Sequence, residues 1–191
     1  MSGLNEIALL ATLLLTGIVI VVAIFDLRER RIPNVIVFPA ALLGLGFNAT
    51  RGWSGLWFGC KGLALGFALL FIPYLLRVMG VRAMAAGDVK FLAAIGAFVG
   101  NVEVVRVLLL ALLVYPLLAI VFLIQQQKVT LTLKRFARLT SRLFGVFIPP
   151  LRLYAAQLEA SDNPHEASAT TPFGLSLSIG TLLALFTEFL R

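Results

Sequence analysis

The sequence predicts an all-α polytopic membrane protein of about six transmembrane helices, with a basic amphipathic helix lying at the membrane interface. Three observations lead there. Hydrophobic residues make up 60% of the 191 residues and the mean hydropathy is +1.00, more apolar surface than a soluble core of this size can hide. The apolar residues come in runs close to the ~20 residues that cross a bilayer as a helix, the one open-ended element whose backbone satisfies its own hydrogen bonds in lipid. The Lys and Arg that bring the net charge to +7 fall mainly between these runs. That is the distribution of topology signals and argues against a nucleic-acid partner. The lone cysteine, Cys60, excludes an intrachain disulfide and a cysteine-based structural zinc site.

The first span runs from about Leu4 to Phe25 and stops at the polar cluster Asp26-Leu27-Arg28-Glu29-Arg30-Arg31. Its beginning carries Glu6 and no Lys or Arg, unlike a cleavable secretory signal. Pro33 reads as the first-turn proline of a second helix, where a missing N–H costs nothing, and that helix runs to about Asn48. A third begins near Trp53 or Leu56 and ends near Leu76. A short apolar segment from Val89 to Val99 follows, only about 16 Å long at the helical rise, so that it borrows residues from Val81 onward or does not cross fully. A fifth runs from about Val104 to Ile124, and the last opens at Pro172-Phe173-Gly174 and ends near Leu190. The whole chain, 1–191, reads as a single integral-membrane domain.

Charge then orients the spans. With the loop around Arg28–Arg31 in the cytoplasm and strict alternation, twelve of the sixteen Lys and Arg fall on the cytoplasmic side, and Arg51, Lys61, Arg106 and Arg191 on the other. The positive-inside rule is satisfied with both termini outside. The 127–150 segment differs from the spans. Lys134, Arg135, Arg138 and Arg142 share one helical face, and Leu133, Phe136, Leu139, Leu143, Phe144 and Phe147 share the other. Such a helix lies on the anionic cytoplasmic leaflet as an anchor. Residues 159–171 read as a flexible loop, and the only histidine, His165, sits in it with no metal or base role expected.

This topology puts Asp26 at the cytoplasmic end of the first span and Asp88 at the cytoplasmic start of the fourth. Two carboxylates at one membrane depth are a candidate functional site by default. Brought within a few ångströms, they cannot both ionise and would share a proton. The ionised member can take a proton from water while the protonated one polarises a carbonyl or protonates a leaving amine, with no cofactor and no metal. Gly87 lets substrate or another helix approach the backbone closely. Lys90 biases the local field or reaches lipid phosphates. The residues leave other readings open: Asp88 as a helix cap with Asp26 paired to nearby arginines, or a proton relay Asp26/Asp88 in a proton-coupled transporter, although no internal repeat is visible.

The residues around both aspartates resemble the type IV prepilin peptidase family. Asp26 through Arg31-Ile32-Pro33-Asn34 is similar to that family's first catalytic motif. Ala85-Ala86-Gly87-Asp88-Val89-Lys90 is similar to its second, written Gly-x-Gly-Asp, with Ala85 where the family has glycine. Pro172-Phe173-Gly174 looks like its third landmark. The resemblance implies an aspartyl endopeptidase with Asp26 and Asp88 catalytic and Arg31, Pro33, Asn34, Gly87, Lys90, Pro172, Phe173 and Gly174 supporting. It implies a prepilin substrate, cut after a short basic leader at the cytoplasmic face of the bacterial inner membrane. Larger members carry a Cys-containing insertion between the first two spans and an N-methyltransferase activity. This chain resembles instead the short branch associated with Flp/Tad pilus assembly, which implies cleavage without methylation. Archaeal preflagellin peptidases share the chemistry and remain an alternative.

Overall fold

The computed structural model of the chain describes residues 2–78, 85–125 and 173–189. The amphipathic segment 127–150 with its four basic residues, the 159–171 loop with His165, and Pro172 lie outside them. The chain divides into two compact units, Met1–Pro116 with Pro172–Arg191, and Leu117–Thr171. The packing below belongs to the first.

Every element in the described residues is helical: α1 Ser2–Glu29, α2 Asn34–Ala49, α3 Trp53–Val78, α4 Ala86–Gln125 and α5 Phe173–Phe189. The stretches Glu6–Glu29, Trp53–Leu75 and Ala86–Phe122 are long and apolar enough to cross a membrane, and α2 and α5 are shorter apolar helices. The membrane class and the helical fold expected from composition are therefore seen.

The 40 residues of α4 would measure about 60 Å as a straight helix, twice the hydrocarbon thickness. They are not straight. Gly100 takes φ 82° and ψ −173°, outside helical space and open to glycine alone at little cost. Val104 Cγ2 lies 3.2 Å from where a Gly96 Cβ would stand, although eight residues of straight helix would hold them about 12 Å apart. The chain thus folds back at Gly100 into two limbs, 86–99 and 101–125, close to the fourth and fifth segments expected from sequence.

The first limb sits at the centre. Val89, Phe91, Leu92, Ala93, Ala94, Ile95 and Ala97 are all buried, the all-round apolar pattern of a helix enclosed on every side. Small residues let α3 approach it: a Cβ on Gly66 would meet the Leu92 carbonyl at 2.6 Å, and one on Gly62 would strike the carbonyl of Gly96. Close backbone contact of this kind supplies the packing that drives helix association in lipid. From α2, the buried Asn48 reaches the same limb. Its Nδ2 donates to the carbonyls of Ala97 at 2.8 Å and Phe98 at 3.1 Å, and to Gly44 in its own helix at 3.2 Å. The Ala97 and Phe98 carbonyls stand in the last turn before the Gly100 break, where a helix end lacks donors.

Two sequence expectations are adjusted. The first span does not stop at Phe25 but keeps Asp26–Glu29 in its last turn, because nothing in that polar cluster breaks a helix once it leaves the hydrocarbon. Pro33 is the N-cap of α2, with an extended ψ of 131°, and not its first helical residue. Its carbonyl accepts from the Ile36 N–H at 3.1 Å and so opens the helix.

Candidate active site

Three helix ends build the site. Asp26 projects from the last turn of α1, Asp88 from the first turn of α4, and the N-terminal backbone of α5 closes on the first of them. Both aspartates are buried, Asp26 5% and Asp88 6% exposed, although each stands at a helix end. An ionisable group so enclosed is costly, which concentrates attention here.

α1 ends because Arg30 adopts φ 52°, alone among non-glycine residues in the described chain. The Arg30 N–H donates back to the Asp26 carbonyl at 3.1 Å, a left-handed closure usually given to glycine and one that costs an ordinary residue about 1–2 kcal/mol. The closure throws residues 31–33 across the end of α1 and keeps the Arg30 guanidinium within electrostatic reach of the Asp26 carboxylate. Strain of this kind gathers at functional sites.

The Leu175 N–H donates to Asp26 Oδ2 at 2.7 Å. That amide belongs to the first turn of α5, where donors have no partner within the helix and the dipole favours a negative group. Gly174 makes the approach possible. A Cβ there would stand 2.8 Å from Asp26 Oδ2 and 2.8 Å from Ile32 Cδ1. Phe173, buried beside it, meets the Tyr115 ring edge-on at 5.3 Å and so fixes the start of α5.

Asp88 occupies the third position of α4. Its Oδ2 accepts from the Ala85 N–H at 3.3 Å while its own N–H donates to the Ala85 carbonyl at 3.2 Å. This is the return half of a capping box and not the simple N-cap considered from sequence. Ala85, where the resembling motif has glycine, is exposed and has no positive φ, so its methyl group finds room without strain. Gly87 faces Ile32: a Cβ would come to 3.1 Å from the Ile32 Cβ. Ile32 therefore separates Gly174, with Asp26, from Gly87, next to Asp88. The two carboxyls influence one another electrostatically.

The supporting residues named from sequence divide. Gly174 packs on the Asp26 carboxyl and Gly87 on Ile32 beside Asp88, Phe173 packs on Tyr115, and Pro33 opens α2. Lys90 turns toward α2, not toward a carboxylate, donating from Nζ to Asn34 Oδ1 at 3.1 Å and lying 5.2 Å over the Phe38 ring. Its job is to hold the start of α2 to α4. Arg31 is exposed. Sequence reasoning gave no role to Ile32, Tyr115 or the Leu175 amide, and offered Arg30 only among the arginines near Asp26. Ile32 stood inside a quoted motif, nothing in the sequence marked Arg30 for a left-handed backbone, and a backbone donor leaves no trace in side-chain chemistry.

The type IV leader peptidase family model matches residues 13–124, which include both aspartates but not α5. The chain is similar to the prepilin leader peptidase/N-methyltransferase of Aeromonas hydrophila, 35% identical over 107 residues, 55% of this chain and 37% of that protein. The protein of the same name in Dickeya chrysanthemi is 35% identical over 96 residues, 49% of this chain and 34% of the relative. That of Escherichia coli K12 is 32% identical over 95 residues, 49% of this chain and 42% of the relative. The chain thus spans well under half the length of these relatives. No solved structure matches it.

Proposed function

The chain belongs to the type IV leader peptidase family, and on that premise we propose that it is an aspartyl endopeptidase removing the basic leader of type IV, Flp-like prepilins at the cytoplasmic face of the inner membrane. The observation that carries this reading is the enclosure of two carboxyls by the ends of α1, α4 and α5, with Ile32 packed between their surroundings. One carboxylate takes a proton from water, whose oxygen attacks the scissile carbonyl. The other, protonated, hydrogen-bonds the carbonyl oxygen and then passes its proton to the leaving amine. The Leu175 amide, already donating to Asp26, holds that carboxyl in one orientation throughout. The pair titrates as a unit, so rate against pH should follow a bell belonging to both residues.

Two features support cleavage without methylation. Only residues 30–33 connect α1 to α2, leaving no insertion there, and the chain has a single cysteine. The experiment co-expresses a prepilin with the wild type and with Asp26→Asn and Asp88→Asn. Each substitution removes a proton-transfer group that contributes ~10²–10⁴-fold, so processed pilin should vanish from an immunoblot. Full processing by either variant sinks the mechanism. Proton-linked solute uptake in proteoliposomes without cleavage would point to a transporter instead.

A further inference from the structure

The far end of the same helices carries a second feature, unrelated to the carboxylates. A cavity of about 250 Å³ opens between the first half of α1, the end of α2, the start of α3, the Gly100 turn of α4 and Leu185 of α5. Ala11, Leu15, Phe58 and Phe98 make its apolar wall, and Asn48 and Arg51 give it a polar end. We propose that this cavity is an anionic phospholipid site, with an acyl chain along the apolar wall and the phosphate on Arg51.

The chemistry of the lining selects the occupant, an apolar wall that ends at a single cation. The Arg51 side chain is exposed, no carboxylate lines the cavity, and Arg51 makes no ion pair with the described residues. A guanidinium in that setting matches a phosphate, which it grips in bidentate fashion. Asn48 is 4% exposed, and its Nδ2 is committed to three carbonyls. Three carbonyl neighbours settle which end of the amide is nitrogen. No hydrogen bond reaches Oδ1 from the described residues, and this buried acceptor is available to a head-group hydroxyl. An amphiphile with an anionic, hydroxyl-bearing head satisfies wall, cation and acceptor together.

The test reconstitutes the full chain in nanodiscs of equal phosphatidylglycerol and phosphatidylcholine, extracts it in mild detergent and reads retained lipid by native mass spectrometry. The wild type should retain phosphatidylglycerol in preference. Arg51→Gln, a change at an exposed side chain, should lower that retention about tenfold through loss of a charge-assisted contact, and Arg51→Lys should keep most of it. Ala11→Phe, which fills the apolar end, should lower retention with Arg51 intact. Equal retention of the two lipids by the wild type overturns the proposal, as does undiminished phosphatidylglycerol on both Arg51→Gln and Ala11→Phe.

Discussion

At Gly174 a single hydrogen atom separates the start of α5 from the Asp26 carboxyl. Adding a methyl group there would place carbon 2.8 Å from Asp26 Oδ2 and 3.0 Å from its Cγ, inside contact distance. Either α5 retreats and the 2.7 Å bond from the Leu175 amide is lost, or the carboxyl turns away. Gly174→Ala is therefore expected to cut prepilin processing severely while lowering stability by only ~1–3 kcal/mol, the usual range for overpacking. Ala85→Gly is the contrasting change. Ala85 is exposed and unstrained, and it meets Asp88 through its backbone, so processing should stay close to wild type. Parallel measurement of processing and detergent thermal unfolding separates the two. A fully active Gly174→Ala would show that the α5 amide is not needed at Asp26, and an inactive Ala85→Gly would show that the methyl group matters.

Among the elements, α4 shows most clearly what the sequence makes legible and what it does not. Run length separates its two limbs in the sequence, because hydrocarbon thickness limits a span, while the break itself shows only in the backbone of Gly100. The Asp26 and Asp88 pair is legible for a similar reason, since carboxylates at span ends stand out against lipid. Contacts between distant residues are not legible, because they depend on which helix faces meet. Nothing local to Asn48 announces that its amide crosses to Ala97 and Phe98, or that Lys90 seeks Asn34 and Tyr115 seeks Phe173. The Asn48 bridge gives a prediction at this scale. Asn48→Asp replaces a buried donor by an oxygen facing three carbonyls, and Asn48→Ala leaves two of another helix's carbonyls without it. An orphaned buried acceptor costs ~1–3 kcal/mol. Both variants should unfold at lower temperature in detergent, Asp more than Ala. Unchanged melting of both would mean that the Gly100 turn holds without the clamp.

Among the described residues, basic side chains stand at both ends of the helices. Arg28, Arg30, Arg31 and Lys90 gather at the end that holds both carboxyls, where Ile32 bridges the surroundings of Asp26 and Asp88. Arg51 stands at the other end, beside the exposed Trp53 and its edge-on partner Trp57, whose ring centroids are 6.2 Å apart. Tryptophan pairs of this kind settle at head-group level, and the orientation proposed on the positive-inside rule puts the richer basic end in the cytoplasm. A leader peptide that is still basic and still on the cytoplasmic side requires the carboxylates at that face, so orientation and proposed activity stand or fall together. Two exposed positions read it out: Arg31, next to the site, and Thr50, at the far end between α2 and α3. In a Cys60→Ala background, a membrane-impermeant maleimide applied to intact spheroplasts should label Thr50→Cys and leave Arg31→Cys unmodified until the cells are lysed. The reverse pattern would place the two aspartates on the outer face, away from any leader still in the cytoplasm. Labelling of both sites in intact spheroplasts would break the assumption that α2 crosses the membrane, and with it the alternation from which the orientation is deduced.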